Sequence, residues 1–449
     1  MQSFEIDKSD LLRIKNALNG SDAELQQVLL QYHTSEIAII FEKLESEDRE
    51  RIINILPAEA ASEVISEMDD EHHPAELLVS LTPEKRSEIV EELDYDDATD
   101  LISQMDESDQ QDILREIDQE DATNIRALLS YDEDTAGGLM NTDLIKVNGK
   151  LNKNEALEEI IKQSEEMEEF YTLYAVNDAD VLLGILSIKD IIKARPMVRV
   201  EELVKKDYVY VKADLDQEEV ARLISQYNLT SIPVVNDDMR LLGRITVDDI
   251  IDVMEEENTE DILKISGVSE DEELSGGWRD AVKSRLSWLI INLATAFLAA
   301  SVIRSYEDTA AKLPIISAYM IIIAGMGGNA ATQALAVTVR RISLSDLTDR
   351  QAYMTVLKEA LVGMTNGATN GVIVAGVAMW YDANPILGLV MFLAMTGNVI
   401  VAGLTGATIP LILKRVGIDP AVASSIIITT FTDCIGFLLP LWLATKLLL

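Results

Sequence analysis

The pattern of apolar and polar positions changes near residue 284. Before that point apolar and polar residues alternate over short distances, whereas long apolar runs follow it. A membrane-spanning helix needs about 20 predominantly apolar residues. Five successive runs satisfy this requirement, too many for the buried helices of a soluble core. The predicted membrane spans are 286–303, 313–339, 360–380, 385–413 and 421–445.

Large apolar residues recur every twelve positions in the N-terminal part, between about residues 33 and 129, in two series separated by one step of thirteen. The intervening segments are rich in acids, and DYDDATD at Asp94 recurs as DQEDATN at Asp118. This spacing predicts short amphipathic helices stacked into a superhelical array, with most acids on solvated faces. The recurring residues are Leu44, Leu56, Met68, Leu81, Leu93, Met105 and Ile117.

A second internal repeat predicts alternating strands and helices. LYAVNDADVLLGILSIKDII (173–192) aligns with IPVVNDDMRLLGRITVDDII (232–251), so that Gly184 matches Gly243. Each copy predicts a strand, a turn, a strand and a helix, and the repeat resembles a tandem pair of cystathionine-β-synthase-type (CBS) domains, which often bind adenine nucleotides. Asn177 and Asp190 suit nucleotide contact, but turn and cap roles explain them equally well, so ATP binding stays open.

Composition divides the chain at the same place as the periodicity. Residues 284–449 carry ten basic and eight acidic residues, whereas residues 1–283 carry 27 basic and 70 acidic ones. The acidity argues against binding nucleic acid and favours cations. The single cysteine, Cys434, excludes an intrachain disulfide. The polar start MQSFEIDKSD predicts a cytosolic domain rather than a signal peptide.

Basic residues between the apolar runs predict the orientation in the membrane. They concentrate before the first run, between the second and third, and after the fourth, which places the acidic part in the cytoplasm. Five spans then put the C-terminus outside. The basic residues on the cytoplasmic side are Lys283, Arg285, Arg340, Arg341, Arg350, Lys358, Lys414 and Arg415.

One charged residue, Asp433, lies inside the predicted spans. A charge at the bilayer centre costs several kcal/mol and usually marks an ion or proton pathway; the alternative is a protonated carboxyl bonded to a neighbouring helix. The second span contains AGMGGNAATQ (324–333). Such small residues allow close helix packing, but Gly–Asn clusters also suit a broken or pore-lining helix. Asn329 is the candidate there.

An acidic helical run, TVDDIIDVMEEENTEDILKISG (246–267), precedes the first span. Like charges three or four positions apart destabilise a helix. Because this run leads directly into the membrane part, a cation-binding connector is favoured over a merely solvated helix. Clustered carboxylates without Cys and with few His suit Mg²⁺ or Ca²⁺; His72 and His73 are interpreted as surface residues.

The order of these parts, with PIISAYMIIIAGMGGNAATQ and TTFTDCIGF, resembles the MgtE family of magnesium transporters over essentially the whole chain. DTAGGLM (134–140) fits the family's junction into its first CBS unit. The implied fold is multi-domain. It comprises an all-α superhelical N-terminal domain (1–135), α/β tandem CBS domains (136–199 and 200–257), an acidic connecting helix (246–275) and a five-helix α transmembrane domain (276–449).

The resemblance also implies a homodimer in a bacterial inner membrane, with Mg²⁺ both transported and regulatory. Two Asp433 carboxylates would hold a largely hydrated Mg²⁺, with Asn329 as a weaker pore-lining candidate. Cytosolic Mg²⁺ would bridge acidic faces and close the pore. The implied regulatory ligands are Asp96, Asp97 and Asp100 on the N-terminal domain, Glu218 on the second CBS unit, and Asp248, Asp249, Asp252, Glu257, Glu260 and Asp261 on the connecting helix.

Two other functions compete with a Mg²⁺-gated channel. An ion-coupled secondary transporter would use Asp433 as a proton or ion carrier, and its flux would need a second gradient. A membrane-anchored nucleotide sensor would tolerate Asp433→Ala. An enzyme is not expected, because the sequence has no P-loop, nucleophile elbow or Cys/His metal set.

Overall fold

The computed structural model describes residues 8–41, 43–69, 72–164, 172–269, 277–344, 347–421 and 424–449. The chain divides into two units, residues 1–255 and 256–449. The first unit contains short helices and two small sheets, whereas the second contains long apolar helices.

Short helices form the beginning of the first unit. They are α1 (Lys8–Leu18), α2 (Asp22–Leu29), α3 (Thr34–Phe41), α4 (Ser46–Ile55), α5 (Ala58–Ser66), α6 (Pro74–Ser80), α7 (Pro83–Val90), α8 (Tyr95–Ser103), α9 (Glu107–Glu116) and α10 (Gln119–Leu128). The residues that recur every twelve positions are all buried in one apolar core. Leu56, Leu81 and Ile117 directly follow α4, α6 and α9. The predicted stacked array is therefore confirmed.

Two three-stranded sheets follow, one in each copy of the internal repeat. The elements are β1 (Lys146–Asn148), α11 (Lys153–Gln163), β2 (Leu173–Val176), β3 (Leu182–Leu186), α12 (Ile188–Lys193), α13 (Val200–Leu203), β4 (Val211–Lys212), α14 (Gln217–Tyr227), β5 (Ser231–Val235), β6 (Leu241–Thr246) and α15 (Val247–Ser266). In each sheet the middle strand pairs in parallel with the first and antiparallel with the third. The predicted strand, turn, strand and helix occur in both copies.

The matched glycines of the repeat allow a backbone segment to pass close to a strand. A Cβ on Gly184 would lie 2.5 Å from the carbonyl oxygen of Lys205, and one on Gly243 would lie 2.6 Å from that of Asn141. Both neighbours form isolated bridges at these places, Lys205 with Ile185 and Asn141 with Arg244. The glycine match therefore reflects the same packing in both CBS units.

Long apolar helices dominate the second unit, and five of them have the length and composition to cross a membrane. The helices after the acidic segment are α16 (Trp278–Ser305), α17 (Glu307–Lys312), α18 (Ile315–Leu344), α19 (Asp349–Tyr381), α20 (Pro385–Val416) and α21 (Ser424–Leu447). Two details differ from expectation. The Gly-rich segment does not break α18, because its backbone hydrogen bonding is continuous, and α19 begins eleven residues before the predicted apolar run.

Helix α20 forms the centre of the second unit and packs against α18, α19 and α21. Small residues permit the closest of these approaches. A Cβ on Gly363 of α19 would lie 2.6 Å from the carbonyl oxygen of Val399, and Cβ atoms on Gly367 and Gly371 would also meet the α20 backbone. The small residues of α19 thus serve close helix packing.

Candidate ion-binding sites

The carboxylate of Asp433 lies half-buried on α21. It makes no hydrogen bond or ion pair with the residues that the structure describes. Nearby hydroxyls serve the helix itself, since Thr429 donates to Ser425 O (2.8 Å) and Thr432 to Thr429 O (3.0 Å). Asp433 is therefore an uncompensated acceptor in a helix long enough to span a membrane, the setting in which ionisable residues usually contact an ion or water.

Helix α18 presents a small and polar face to the outside of the isolated chain. Asn329, Thr332 and Gln333 are exposed there, and Cβ atoms on Gly325 and Gly328 would meet only open space. Side-chain amides such as those of Asn329 and Gln333 are poorly suited to lipid, because hydrocarbon cannot satisfy their hydrogen bonds. This face therefore needs water or a second protein surface against it.

Asn398, which the sequence pattern did not single out, lies on α20 behind that face. Its side chain is fully buried, and its Nδ2 donates to Ile323 O (2.9 Å). Its Oδ1 has no partner among the described residues. The available signal was an amide among small residues in MTGNVIVAGLTG, but only the fold shows which asparagine of the membrane part is enclosed.

Three predicted acids meet in the first unit. Asp96 and Asp97 lie in the first turn of α8, and Asp249 lies in the first turn of α15. Asp96 Oδ1 accepts hydrogen bonds from Asn141 Nδ2 and from the Asp97 N–H, both at 3.1 Å. The carboxylate of Asp249 accepts from the Thr246 backbone N–H (3.0 Å) and hydroxyl (2.7 Å).

The three carboxylates repel one another in a partly desolvated place. Burial raises the pKa of Asp96 well above its usual range, and repulsion by Asp97 and Asp249 raises it further. Burial also raises the pKa of Asp97 to about 7, with help from Asp94 and Asp249. Burial raises the pKa of Asp249 too, although the bonds from Thr246 oppose this shift. The arrangement needs a proton or a cation near neutral pH.

Further acids surround this trio, which we call the acidic trio (Asp96, Asp97 and Asp249). Partial burial raises the pKa of Asp252, and Asp249 and Glu67 add to that shift. Asp248 also acts on Asp97. Glu67 and Asp94 were not predicted as ligands, because their proximity depends on how α5 and α8 pack. Asp100 and Glu218, by contrast, are exposed on α8 and α14.

The predicted acids after residue 255 belong to the second unit and have basic neighbours. Lys264 pairs with Glu260 and with Asp419, the latter at 2.9 Å. Burial and Asp419 raise the pKa of Asp261, whereas Ser343, which donates to it at 3.3 Å, and Arg340 lower it. Glu257 is half-buried in the same helix. This group is partly neutralised, unlike the acidic trio.

No three carboxylate, imidazole or thiol groups within the described residues are placed to hold one metal ion directly. The described acids are therefore spread too widely for three of them to coordinate one dehydrated metal ion. Mg²⁺ keeps several waters and commonly binds through one or two carboxylates. The arrangement fits a hydrated Mg²⁺ better than a caged ion.

Asn177 and Asp190, for which nucleotide contact was weighed against turn and cap roles, make local hydrogen bonds. Asn177 Oδ1 accepts from the backbone N–H groups of Ala179 (2.8 Å) and Val181 (3.1 Å). Asp190 accepts from the hydroxyl of Ser187, the N-cap of α12, at 2.8 Å. Turn and cap roles therefore account for both residues.

Family models match most of the chain. They are "MgtE intracellular N domain" over residues 7–134, "CBS domain" over 136–196 and 200–256, and the MgtE "divalent cation transporter" over 320–443. The chain is similar to the magnesium transporter MgtE of Thermus thermophilus, with 33% identity over 97% of this chain and 98% of the relative. It is 34% identical to that of Enterococcus faecalis over 97% and 96% of the two chains.

Solved structures resemble the first unit. One is the soluble part of a magnesium transporter, with 26% identity and a TM-score of 0.51 over 56% of this chain and 98% of the other. Another is the cytosolic domain of the Mg²⁺ channel MgtE in complex with ATP, with 35% identity and a TM-score of 0.52 over 54% and 99% of the two chains.

Proposed function

This chain belongs to the MgtE family of magnesium transporters, and from that premise we propose that it is a homodimeric Mg²⁺ channel closed by cytosolic Mg²⁺. It is a multi-pass membrane protein of magnesium transport and not an enzyme. The gating, the pore residues and the dimer belong to the proposal.

The pore lies between two copies of the chain, with Asp433 and Asn329 along it. Support comes from the uncompensated carboxylate on α21 and the polar face of α18, which lipid cannot cover. Two carboxylates without a cation would repel, and one would take up a proton. A hydrated Mg²⁺ between them keeps both ionised.

The acidic trio is the gate's Mg²⁺ sensor. The observation that carries this proposal is that the strongest charges acting on Asp96 and Asp97 are all carboxylates. At low Mg²⁺ their repulsion opposes the packing of α8 against α15. Bound Mg²⁺ removes that repulsion and stabilises the closed arrangement. The further regulatory ligands are Asp100, Glu218, Asp248, Asp252, Glu257, Glu260 and Asp261.

Several weak sites that share one closed state make the response to Mg²⁺ steep. Each ion binds that state better than the open one, so every site shifts the same equilibrium. The acidic part and the acidic connecting helix lie in the cytoplasm in this proposal, and the C-terminus lies outside. The CBS pair binds ATP, a proposal supported by the likeness to the ATP-bound MgtE cytosolic domain.

The test compares Mg²⁺ inhibition of the double variant Asp96→Asn/Asp97→Asn with that of wild type, both full-length in liposomes. Losing two ligands should make inhibition by Mg²⁺ on the cytosolic side shallower and move its midpoint severalfold. A matched control, Asp132→Asn/Asp207→Asn, removes the same charge at exposed positions and should behave as wild type. If the control shifts the inhibition as far as the trio variant does, net charge rather than this site governs the response; if neither variant shifts it, the acidic trio is not the sensor.

The same liposomes distinguish a channel from a coupled transporter. Mg²⁺ flux driven by membrane potential alone, without a proton or Na⁺ gradient, is expected for a channel. Flux that requires either gradient would instead support Asp433 as a coupling residue.

A further inference from the structure

Three helices of the second unit meet at the side chain of Asn398. Its Nδ2 donates to Ile323 O on α18 and lies close to Gly436 on α21, where a Cβ would be 3.1 Å away. A Cβ on Gly327 of α18 would clash with the same nitrogen. Both glycines thus leave the space that the amide occupies.

The amide lies behind both proposed pore residues. Asn329 follows Gly327 by two positions, about 200° around a helix of 3.6 residues per turn, so it faces away from Asn398. Asp433 precedes Gly436 by three positions, which is less than one turn. Gly436 also packs on α18, where its Cβ would lie 3.0 Å from Ala324 Cα.

Helix α21 has a weak point at the same level. Pro440 lies inside α21 and cannot donate to the carbonyl of Gly436, which its ring also crowds. The backbone of α21 therefore lacks one of its own stabilising bonds directly beside Asn398. Asn398 therefore bonds α18 while its amide fills the space between α18 and this turn of α21.

An amide at this position carries both a cost and a benefit. The Oδ1 of Asn398 is buried without a partner among the described residues, which costs free energy that an apolar side chain would not. Its N–H, however, gives a directional bond to α18 that an apolar side chain cannot make.

We propose that Asn398 is the positioning residue that sets the spacing between α18 and α21, and thereby the width of the ion path at Asn329 and Asp433. This inference rests on the proposed pore. A hydrated ion is selected by the fit of its water shell to the pore wall, so a shift of α18 relative to α21 changes discrimination between ions, not only the amount of folded protein.

The test measures Mg²⁺ flux and Ca²⁺ flux separately in liposomes with equal amounts of folded Asn398→Ala or wild-type protein. The ratio of Mg²⁺ to Ca²⁺ flux should fall severalfold in the variant. Gly376→Ala on α19, where a Cβ meets open space, should leave the ratio unchanged. A wild-type ratio in folded Asn398→Ala would overturn the inference.

Gly327→Ala probes the contact with the Asn398 amide from α18. It tests the role of Asn398 even if Asn398→Ala does not fold. Its methyl group should displace the amide and lower the flux ratio in an otherwise wild-type chain. In the Asn398→Ala background the same methyl group enters vacated space, so it should have little further effect on the folded yield. An unchanged flux ratio in Gly327→Ala would reject the role of Asn398.

Asp433→Ala, measured beside these variants, distinguishes failure of the proposed pore from failure of the inference about Asn398. Lost Mg²⁺ flux there, together with normal selectivity in the Asn398 and Gly327 variants, rejects only the inference about Asn398. Retained Mg²⁺ flux in Asp433→Ala rejects the proposed pore itself.

Discussion

Asp433 is the residue on which the transport proposal can be tested most directly. Its carboxylate makes no hydrogen bond with the described residues, so its removal leaves none of their polar groups without a partner. We expect Asp433→Ala to abolish Mg²⁺ uptake in a bacterium lacking its own Mg²⁺ transporters, with normal membrane expression. Asp433→Asn should retain partial uptake if an oxygen acceptor suffices. Asp308→Asn, which removes an exposed charge in the first turn of α17, is the control, and full uptake by the Asp433→Ala variant would move the ion path elsewhere.

Asp97 predicts a pH dependence of the sensor. Its pKa in the folded chain is about 7, far above the usual value of 3.8 for Asp. At pH values between these two pKa values, the folded chain therefore binds more protons than the unfolded chain. Stability therefore rises as pH falls through 7 and declines as pH rises through it. Protons also compete with Mg²⁺ for the acidic trio. The Mg²⁺ concentration that half-protects the first unit from protease should therefore be higher at pH 6 than at pH 8.

Asp97→Asn should remove much of that pH dependence. The groups that act on Asp97 most strongly are Asp94, Asp249, Glu67 and Asp248, and none of them is lost in this variant. A protease-protection midpoint in the wild type that is equal at both pH values would show that Mg²⁺ does not compete with this proton.

At the scale of single elements, periodicity in the sequence was sufficient for most of the architecture. Leu56, Leu81 and Ile117 each directly follow a helix and lie in the core, so the recurrence of such residues about every twelve positions records the helix repeat. Gly184 and Gly243 likewise mark equivalent backbone approaches. Glu67 and Asn398 could not be predicted in the same way, because their roles depend on neighbours from distant elements.

The continuity of α18 decides against a broken helix, one of the alternatives that the glycine cluster left open. Gly325 and Gly328 lie on the outer face, whereas Gly327 faces Asn398. Each glycine therefore serves a helix surface, and the hydrogen-bonded ladder along the axis is preserved. Small residues in a span indicate a close approach or an unusual surface without specifying a kink.

The glycine row of α19 predicts a packing defect that one methyl group can create. In Gly363→Ala the ideal position of the new Cβ lies 2.6 Å from the carbonyl oxygen of Val399. The α20 backbone must therefore move to make room for it. Overpacking of this kind costs about 1–3 kcal/mol. We expect a lower melting temperature in detergent. Gly376→Ala on the same helix meets open space and should be neutral or slightly stabilising, since Ala favours helix; equal melting temperatures for the two variants would contradict the close approach.

At the scale of the whole molecule, the proposed channel places the two pore residues opposite a second copy of the chain. The outer face of α18 carries Asn329, Thr332 and Gln333, whereas α19 exposes an apolar surface at Val372 and Ile373. Lipid can cover the second surface but not the first. A symmetric dimer that joins the α18 faces covers the polar one and leaves a path between the copies.

Cross-linking distinguishes these two surfaces. In a Cys434→Ser background, which removes the single native thiol, Asn329→Cys should form a covalent dimer with a short bis-maleimide reagent. A direct disulfide is not expected, because Cα atoms more than about 7 Å apart cannot be bridged and a pore for a hydrated ion separates the two walls further. Ile373→Cys on the lipid-facing surface should stay monomeric under the same conditions. A dimer through Ile373 instead would place the subunit contact on α19 and leave the polar face of α18 facing an aqueous path within one chain.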